Sequence, residues 1–217
     1  MFGEAVRKLV NFLLGSQERQ KIVLGIYGPV NSGKTTLANR MTRDFTGRDL
    51  GSVSKVPHET RTIQIAKGVR ARLQGNGGKA IVMDIIDTPG IATHISYRTF
   101  LRFGFTKDEA IRRAEEAARG VVEAIRSLDN VDVALIVLDS AKDPLSQVNL
   151  LLLSHVEAKG IPHILVANKI DLPYARPWKV AESYPEKISV PVSALRGTHI
   201  DMLYRKIYEL VSRGEGS

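Results

Sequence analysis

The chain has 217 residues, 43% of them hydrophobic, enough to bury one substantial core, and no break in composition argues for a second domain. Its lack of cysteine excludes disulfides, thiolate catalysis and Cys-ligated zinc. The formal net charge of +8 lies in the first 130 residues, the remainder being balanced at 10 basic against 10 acidic, so an acidic partner such as RNA or anionic lipid stands beside a plain solubilising role for Lys and Arg.

No apolar stretch approaches the roughly 18 residues of a membrane span. The N-terminus lacks the basic start, apolar middle and small-residue cleavage site of a secretory leader, so a cytoplasmic location is expected. Residues 1–20 place Phe2, Val6, Leu9, Val10, Leu13 and Leu14 at spacings of three and four. That period predicts an extra N-terminal amphipathic helix. Residues 1–14 can lie on a membrane surface through Arg7 and Lys8, or pack on the domain or a partner.

The apolar run Ile22 to Tyr27 leads into Gly28-Pro29-Val30-Asn31-Ser32-Gly33-Lys34-Thr35 and then a helix-compatible run beginning at Thr36. Strand, phosphate loop and helix is the reading. Gly28 and Gly33 let backbone approach phosphate oxygens, and N–H groups from Asn31, Ser32, Gly33, Lys34, Thr35 and Thr36 gather at the helix start. Lys34 supplies a point charge, and the Thr35 hydroxyl is placed to ligate Mg²⁺.

Asp44 to Thr60 has no period and reads as a loop ending in His58-Glu59-Thr60-Arg61. Ile63, Ile65, Val69, Ala71 and Leu73 stand at odd positions, which predicts a half-exposed strand closed by a turn at residues 75–78. The return strand, Ala80 to Ile86, delivers Asp87-Thr88-Pro89-Gly90. Asp87 can hold a Mg²⁺-bound water, and the Gly90 N–H can face a γ-phosphate. Ile91 to Phe105 mixes Phe and Leu with Arg98 and Arg102, which suits a lid, a docking surface or a packed connection. Ala110 to Arg126 predicts a helix with Ile111, Ala114, Ala118, Val121, Val122 and Ile125 on one side.

Val133 to Asp139 and Ile161 to Ala167 read as buried strands, with a helix over Leu145 to Ala158 between them. The second strand runs into Asn168-Lys169-Ile170-Asp171. The Asp171 carboxylate matches the N–H edge of guanine, an edge that adenine lacks. Lys169 would lie along the base, and Asn168 would tie loops together. A last strand, Ile188 to Val192, precedes Ser193-Ala194-Leu195, whose backbone N–H can meet a base oxygen, and Ile200 to Val211 closes the chain as a helix.

In this order, the phosphate loop, Thr60, Asp87-Thr88-Pro89-Gly90, Asn168-Lys169-Ile170-Asp171 and Ser193-Ala194-Leu195 resemble a translation-factor-class P-loop GTPase domain, closest in look to the Era and TrmE branch. That resemblance, over about residues 21–212, implies an α/β three-layer fold with a six-stranded, mainly parallel sheet and helices on both faces. It also implies GTP and GDP binding, GTP hydrolysis, Mg²⁺ held by Thr35, Thr60 and Asp87, catalytic roles for Lys34, Thr60 and Gly90, and switches near 44–62 and 88–106. The domain is expected over 21–213, with a second switch extended to residues 88–130. Its added length suggests a protein effector.

The sequence ends after the last GTPase helix, so the RNA-binding KH domain of Era proteins is not among its residues. RNA or ribosome binding is therefore an alternative, as is membrane recruitment. Ile91 stands where many small GTPases carry a water-orienting Gln, which predicts slow hydrolysis and leaves backbone groups, a partner, or a residue of the long switch such as Thr93, His94 or Arg98 to orient water. Asn31 occupies the place where some branch members help hold K⁺. That ion, or a plain hydrogen bond from Asn31 to the first switch, is expected.

Overall fold

The computed structural model describes residues 21–47, 49–50, 62–72, 80–92 and 95–213. The N-terminal helix expected over 1–20, Thr60, the turn at 75–78, Thr93 and His94 lie outside them. Strands β1 (Lys21–Tyr27), β2 (Gln64–Arg72), β3 (Ala80–Asp87), β4 (Val133–Asp139), β5 (His163–Asn168) and β6 (Ser189–Pro191) form one sheet in the order β2-β3-β1-β4-β5-β6. Every pairing is parallel except β2 with β3. Parallel neighbours need crossovers that cover both faces, and this is why β4 reads as an unbroken apolar run and is buried on both sides.

Helix α1 (Lys34–Thr46) packs Leu37, Ala38 and Met41 on one face of the sheet, together with Leu203 and Ile207 of a C-terminal helix. The opposite face, with Ile136 and Leu138, carries Leu152 and Val156 of the helix Gln147–Ala158 and Ala124 near the end of the helix Lys107–Ser127. In chain order the remaining helices are α2 (Tyr97–Leu101), α3 (Lys107–Ser127), α4 (Gln147–Ala158), α5 (Trp178–Ser183) and α6 (Ile200–Arg213). Among the described residues, no helix is long and apolar enough to cross a membrane.

Three local expectations are corrected. Helix α1 continues through Asp44 to Thr46 and stops at Gly47, φ 71°, whose N–H donates to Arg43 O at 2.9 Å. The first loop therefore starts later than Asp44. In β2 the odd positions do not share one face. A bulge between Ala66 and Val69, with Gly68 at φ 67°, shifts the register, so Ile65 is 50% exposed while Ala66 and Val69 pack on the core.

The third concerns α3. It begins three residues earlier than Ala110, at a capping box in which the Glu109 N–H donates to Thr106 Oγ1 and the Thr106 N–H to Glu109 Oε2. Its buried stripe is Ala110, Ala117, Gly120 and Ala124, whereas Ile111, Ala118 and Val122 face solvent. Of the expected face, Ala114, Val121 and Ile125 are half-buried and pack beside this stripe, so the inward face is rotated toward the small residues, which admit close approach. Phe100, Ala110 and Ala117 form a separate cluster with Ile95, Tyr97, Phe105 and Ala114. Thus part of the Ile91–Phe105 segment is packed, while Leu101 and Phe103 remain exposed.

Tyr27, the last residue of β1, is fully buried, and its hydroxyl lies 2.8 Å from Ser127 Oγ at the end of α3. Ser127 Oγ donates to Ala124 O at 2.7 Å, so the phenol donates to Ser127. Burial pushes the Tyr27 hydroxyl up to about 12. Tyr27→Phe is expected to lower the unfolding free energy by about 1 kcal/mol, read as a lower urea midpoint at unchanged slope. An unchanged midpoint would show that the bond adds nothing to stability.

Candidate functional site

The loop from β1 to α1 turns on three positive φ values: Gly28 at 152°, Asn31 at 61° and Gly33 at 94°. Glycine is needed twice. A Cβ at Gly28 would stand 2.3 Å from Val137 O, and one at Gly33 would stand 2.3 Å from Asn168 Nδ2. The first helical bond of α1 runs from Leu37 N–H to Gly33 O at 2.9 Å. The N–H groups of Lys34, Thr35 and Thr36 therefore belong to the first turn, where no carbonyl of the helix serves them, and the helix dipole adds positive potential there. An anion fits such a place.

Lys34 is buried and donates from Nζ to Pro29 O at 2.8 Å. Burial pulls its pKa down to about 8, against the attraction of Asp87 and with the repulsion of Lys169. Asp87, at the end of β3, is fully buried and accepts from Thr35 Oγ1 at Oδ2, 2.7 Å. Burial raises its pKa to about 6, although the Thr35 bond and Lys34 both favour the charged form. The other oxygen, Oδ1, and the buried Ser32 Oγ have no partner among the described residues. Buried orphans of this kind mark the place of a missing ion, water or ligand. Mg²⁺ is held by one or two carboxylates and hydroxyls together with phosphate oxygens, so this donor set fits it.

Ile91 is buried, its N–H donates to Gly28 O at 3.1 Å, and it bridges to Pro29. This puts the chain after Asp87 hard against the phosphate loop, where a Cβ on Gly90 would meet Val30 Cα at 2.8 Å. Ile91 is thus a core residue, and its side chain points away from any role in orienting water. Arg98 is exposed on α2.

From the other side, Asn168 Nδ2 donates to Ser32 O at 2.9 Å, and Oδ1 accepts from the Ala194 N–H at 3.0 Å. Of the Ser193-Ala194-Leu195 loop, whose backbone N–H is expected to meet a base oxygen, the Ala194 N–H is thus donated to Asn168. Lys169, held at φ 68°, donates from Nζ to Asn31 O at 2.6 Å and to Asp139 Oδ2 at 2.7 Å. Asp171 accepts from Ser193 Oγ at 2.6 Å, and that hydroxyl also accepts from the Arg196 N–H at 3.0 Å. Leu195 is 68% exposed.

Two residues of this assembly escaped the sequence reading. Arg40 on α1 donates from Nε to Ala194 O at 3.3 Å and from Nη2 to Leu195 O at 2.8 Å, and nothing in its local sequence signals a partner 155 residues away. Asp139 did carry a signal: it ends a buried strand as Asp87 does, and here it fixes the Lys169 ammonium.

The profile of the 50S ribosome-binding GTPase family matches residues 23–169. The chain is 32% identical over 198 residues to the GTPase Era of Geobacter sp. (strain M21), covering 88% of this chain and 56% of the relative. It is 30% identical over 183 residues to the tRNA modification GTPase MnmE of Synechococcus sp. (strain CC9605), covering 84% of this chain and 32% of that protein. The chain thus spans about a third to just over half the length of these curated relatives. Its fold is similar to that of Era solved with MgGDPNP and nucleotides 1506-1542 of 16S ribosomal RNA, with a TM-score of 0.67, 21% identity, and 89% of this chain and 57% of that one covered.

Lys34 and Asp87 make the nucleotide-free site costly. Asp87, whose folded pKa of about 6 exceeds its ordinary 3.8, contributes stability that is complete below pH 3.8 and lost as the pH rises through about 6. Lys34, depressed to about 8 from 10.5, contributes stability that is complete above pH 10.5 and lost as the pH falls through about 8. At neutral pH burial opposes both charges. Asp87→Asn is therefore expected to raise the stability of the ligand-free protein at pH 7 by roughly 1 to 3 kcal/mol, and to remove the Asp87 part of the decline between pH 4 and 6. Urea unfolding at both pH values checks this, and a variant less stable than wild type at pH 7 would contradict it.

Proposed function

The chain belongs to the 50S ribosome-binding GTPase family, and on that premise we propose that it binds GTP with Mg²⁺, hydrolyses it slowly to GDP and phosphate, and signals the loss of the γ-phosphate to a partner. One observation carries the reading: Asn168 and Lys169, from the guanine-matching segment, bond to Ser32 and Asn31 of the phosphate loop. Groups suited to a base and groups suited to phosphates are thereby joined in one site.

In this reading the N–H groups of Asn31 to Thr36 cradle the phosphates, and Lys34 exchanges its bond to Pro29 O for phosphate oxygens. Thr35 and Asp87 hold the metal, with Thr60 of the first switch completing the set. The metal, when bound, neutralises charge on the β- and γ-phosphate oxygens. The Gly90 N–H faces the γ-phosphate, so its departure releases the second switch and the α2–α3 segment beyond it. Asp171 reads the guanine edge, braced by Ser193, while Ala194 and Leu195 close over the base with their carbonyls held by Arg40. With Ile91 in the core, water is oriented by backbone, by a partner residue or by a residue of the long switch segment such as Arg98, and K⁺ beside Asn31 would offset charge that builds between the phosphates.

A second reading, an RNA- or ribosome-associated assembly GTPase, is favoured by the charge of the first 130 residues and by exposed Lys67 and Arg70 on β2. The similar Era was solved with ribosomal RNA. Membrane recruitment rests on residues 1–14, outside the described structure. RNA retention that falls steeply with salt separates the second reading from a protein effector.

Asp171→Asn is expected to move nucleotide preference from guanine toward xanthine, and a wild type that binds ATP as tightly as GTP in competition would overturn the guanine assignment. Lys34→Ala removes a phosphate-paired charge and should weaken GTP binding by about 2 kcal/mol, roughly 30-fold, by calorimetry. Single-turnover hydrolysis faster in K⁺ than in Na⁺ at equal ionic strength, with the difference lost in Asn31→Ala, would support K⁺ at the site. Equal rates in the two salts would remove it.

A further inference from the structure

Gln64, the first residue of β2, pairs with Asp87 across the antiparallel ladder. Directly opposed residues of such a pair send their side chains to the same face. Ala66 opposite Ile85 and Val69 opposite Met83 confirm which face it is, since all four pack on the core beneath α1. The bulge between Ala66 and Val69 is what brings Gln64 there. Without it, strict alternation from Val69 would turn residue 64 to the other side of the sheet, and bulges beside active sites commonly re-aim a side chain in this way.

Gln64 Oε1 and Asp87 Oδ1 are both buried, and neither has a partner among the described residues. Two acceptors cannot bond each other, but one donor with two hydrogens placed between them satisfies both. A water bound to a metal ion has its lone pair committed and both hydrogens to give. Resting on the proposed GTP–Mg²⁺ site, we propose that Gln64 is a positioning residue: its carboxamide oxygen, with Asp87 Oδ1, orients a water of the Mg²⁺ shell and so sets the affinity of the site for the metal. Ligands of a metal are generally held by such outer partners, whose loss typically weakens binding 10- to 100-fold.

The test follows release of a fluorescent N-methylanthraniloyl GDP as Mg²⁺ is titrated. In Gln64→Leu the Mg²⁺ concentration that half-slows release should rise about tenfold or more, while release in EDTA and the thermal midpoint of the ligand-free protein stay as in wild type. Gln64→Glu, which keeps an acceptor oxygen, should hold a Mg²⁺ requirement no higher than wild type. Gln64→Asn, whose oxygen is one methylene short, should show the rise.

An unchanged Mg²⁺ requirement in Gln64→Leu overturns the proposal. So does an equal loss with and without Mg²⁺, which marks a structural role, or a Gln64→Glu as defective as Leu, which marks an amide donating to Asp87. If the Leu variant does not fold, Glu against Asn decides alone. A wild type that fails to bind the probe, or whose release ignores Mg²⁺, refutes the GTP–Mg²⁺ reading itself and is distinguishable from these results.

Discussion

The Asn168 carboxamide is the contact on which the site's geometry depends. Its amide donates to Ser32 O in the phosphate loop, and its oxygen accepts from the Ala194 N–H in the loop after β6. Three loops that are 136 and 26 residues apart in sequence are thereby held together in a buried place. A single side chain that both donates and accepts in a low-dielectric setting specifies distance and orientation together, and leaving either half unpaired is expensive. Gly33 follows from it, because any Cβ there would collide with the same amide. Lys169 and Asp139 repeat the arrangement with charges, tying β4 and β5 to the carbonyl of Asn31.

With the loops held, the sheet can bury two ions that it would otherwise exclude. Lys34 and Asp87 lie on adjacent elements, each moved toward its neutral form by burial and each drawing the other back. Their mutual attraction does not cancel the desolvation, and among the described residues the Asp87 Oδ1 and Ser32 Oγ atoms keep their bonding capacity for a ligand. A site built this way sacrifices stability in the empty protein so that the ligand meets charges already desolvated and oriented.

The segment after Gly90 has a different character. Its small core around Phe100, Ala110 and Ala117 is separate from the two that flank the sheet, and α3 joins the body through its last turns, at Ala124, Leu128 and the Tyr27–Ser127 bond. The chain that leaves the phosphate loop at Ile91 thus leads into a unit with its own packing, and the end of β1 touches the far end of the same unit through Tyr27 and Ser127. Leu101 and Phe103, exposed beside Arg98 and Arg102, give that unit an apolar and basic outer surface.

What the sequence determined by itself was the order of elements and the chemistry they deliver. Apolar runs ending in Gly28, Asp87 and Asn168 mark buried parallel strands, because only a strand covered on both faces is apolar throughout. Polar residues at their carboxyl ends have no reason to stand there except a shared site. Periodicity failed where packing chose between alternatives of similar polarity. Of the face read on α3, Ala114, Val121 and Ile125 do pack, but its buried centre shifted to Ala110, Ala117 and Gly120, which allow a closer approach than Ile111 or Val122. The bulge in β2 inverted the inward face and sent Ile65 out and Gln64 in. Arg40 on Ala194 and Leu195, Asp139 on Lys169 and the Ala194 N–H on Asn168 were settled only by the tertiary structure. Local pattern records which face of an element is apolar, but hydrogen bonds between segments 26 to 155 residues apart exist only once the sheet has fixed the distance between them.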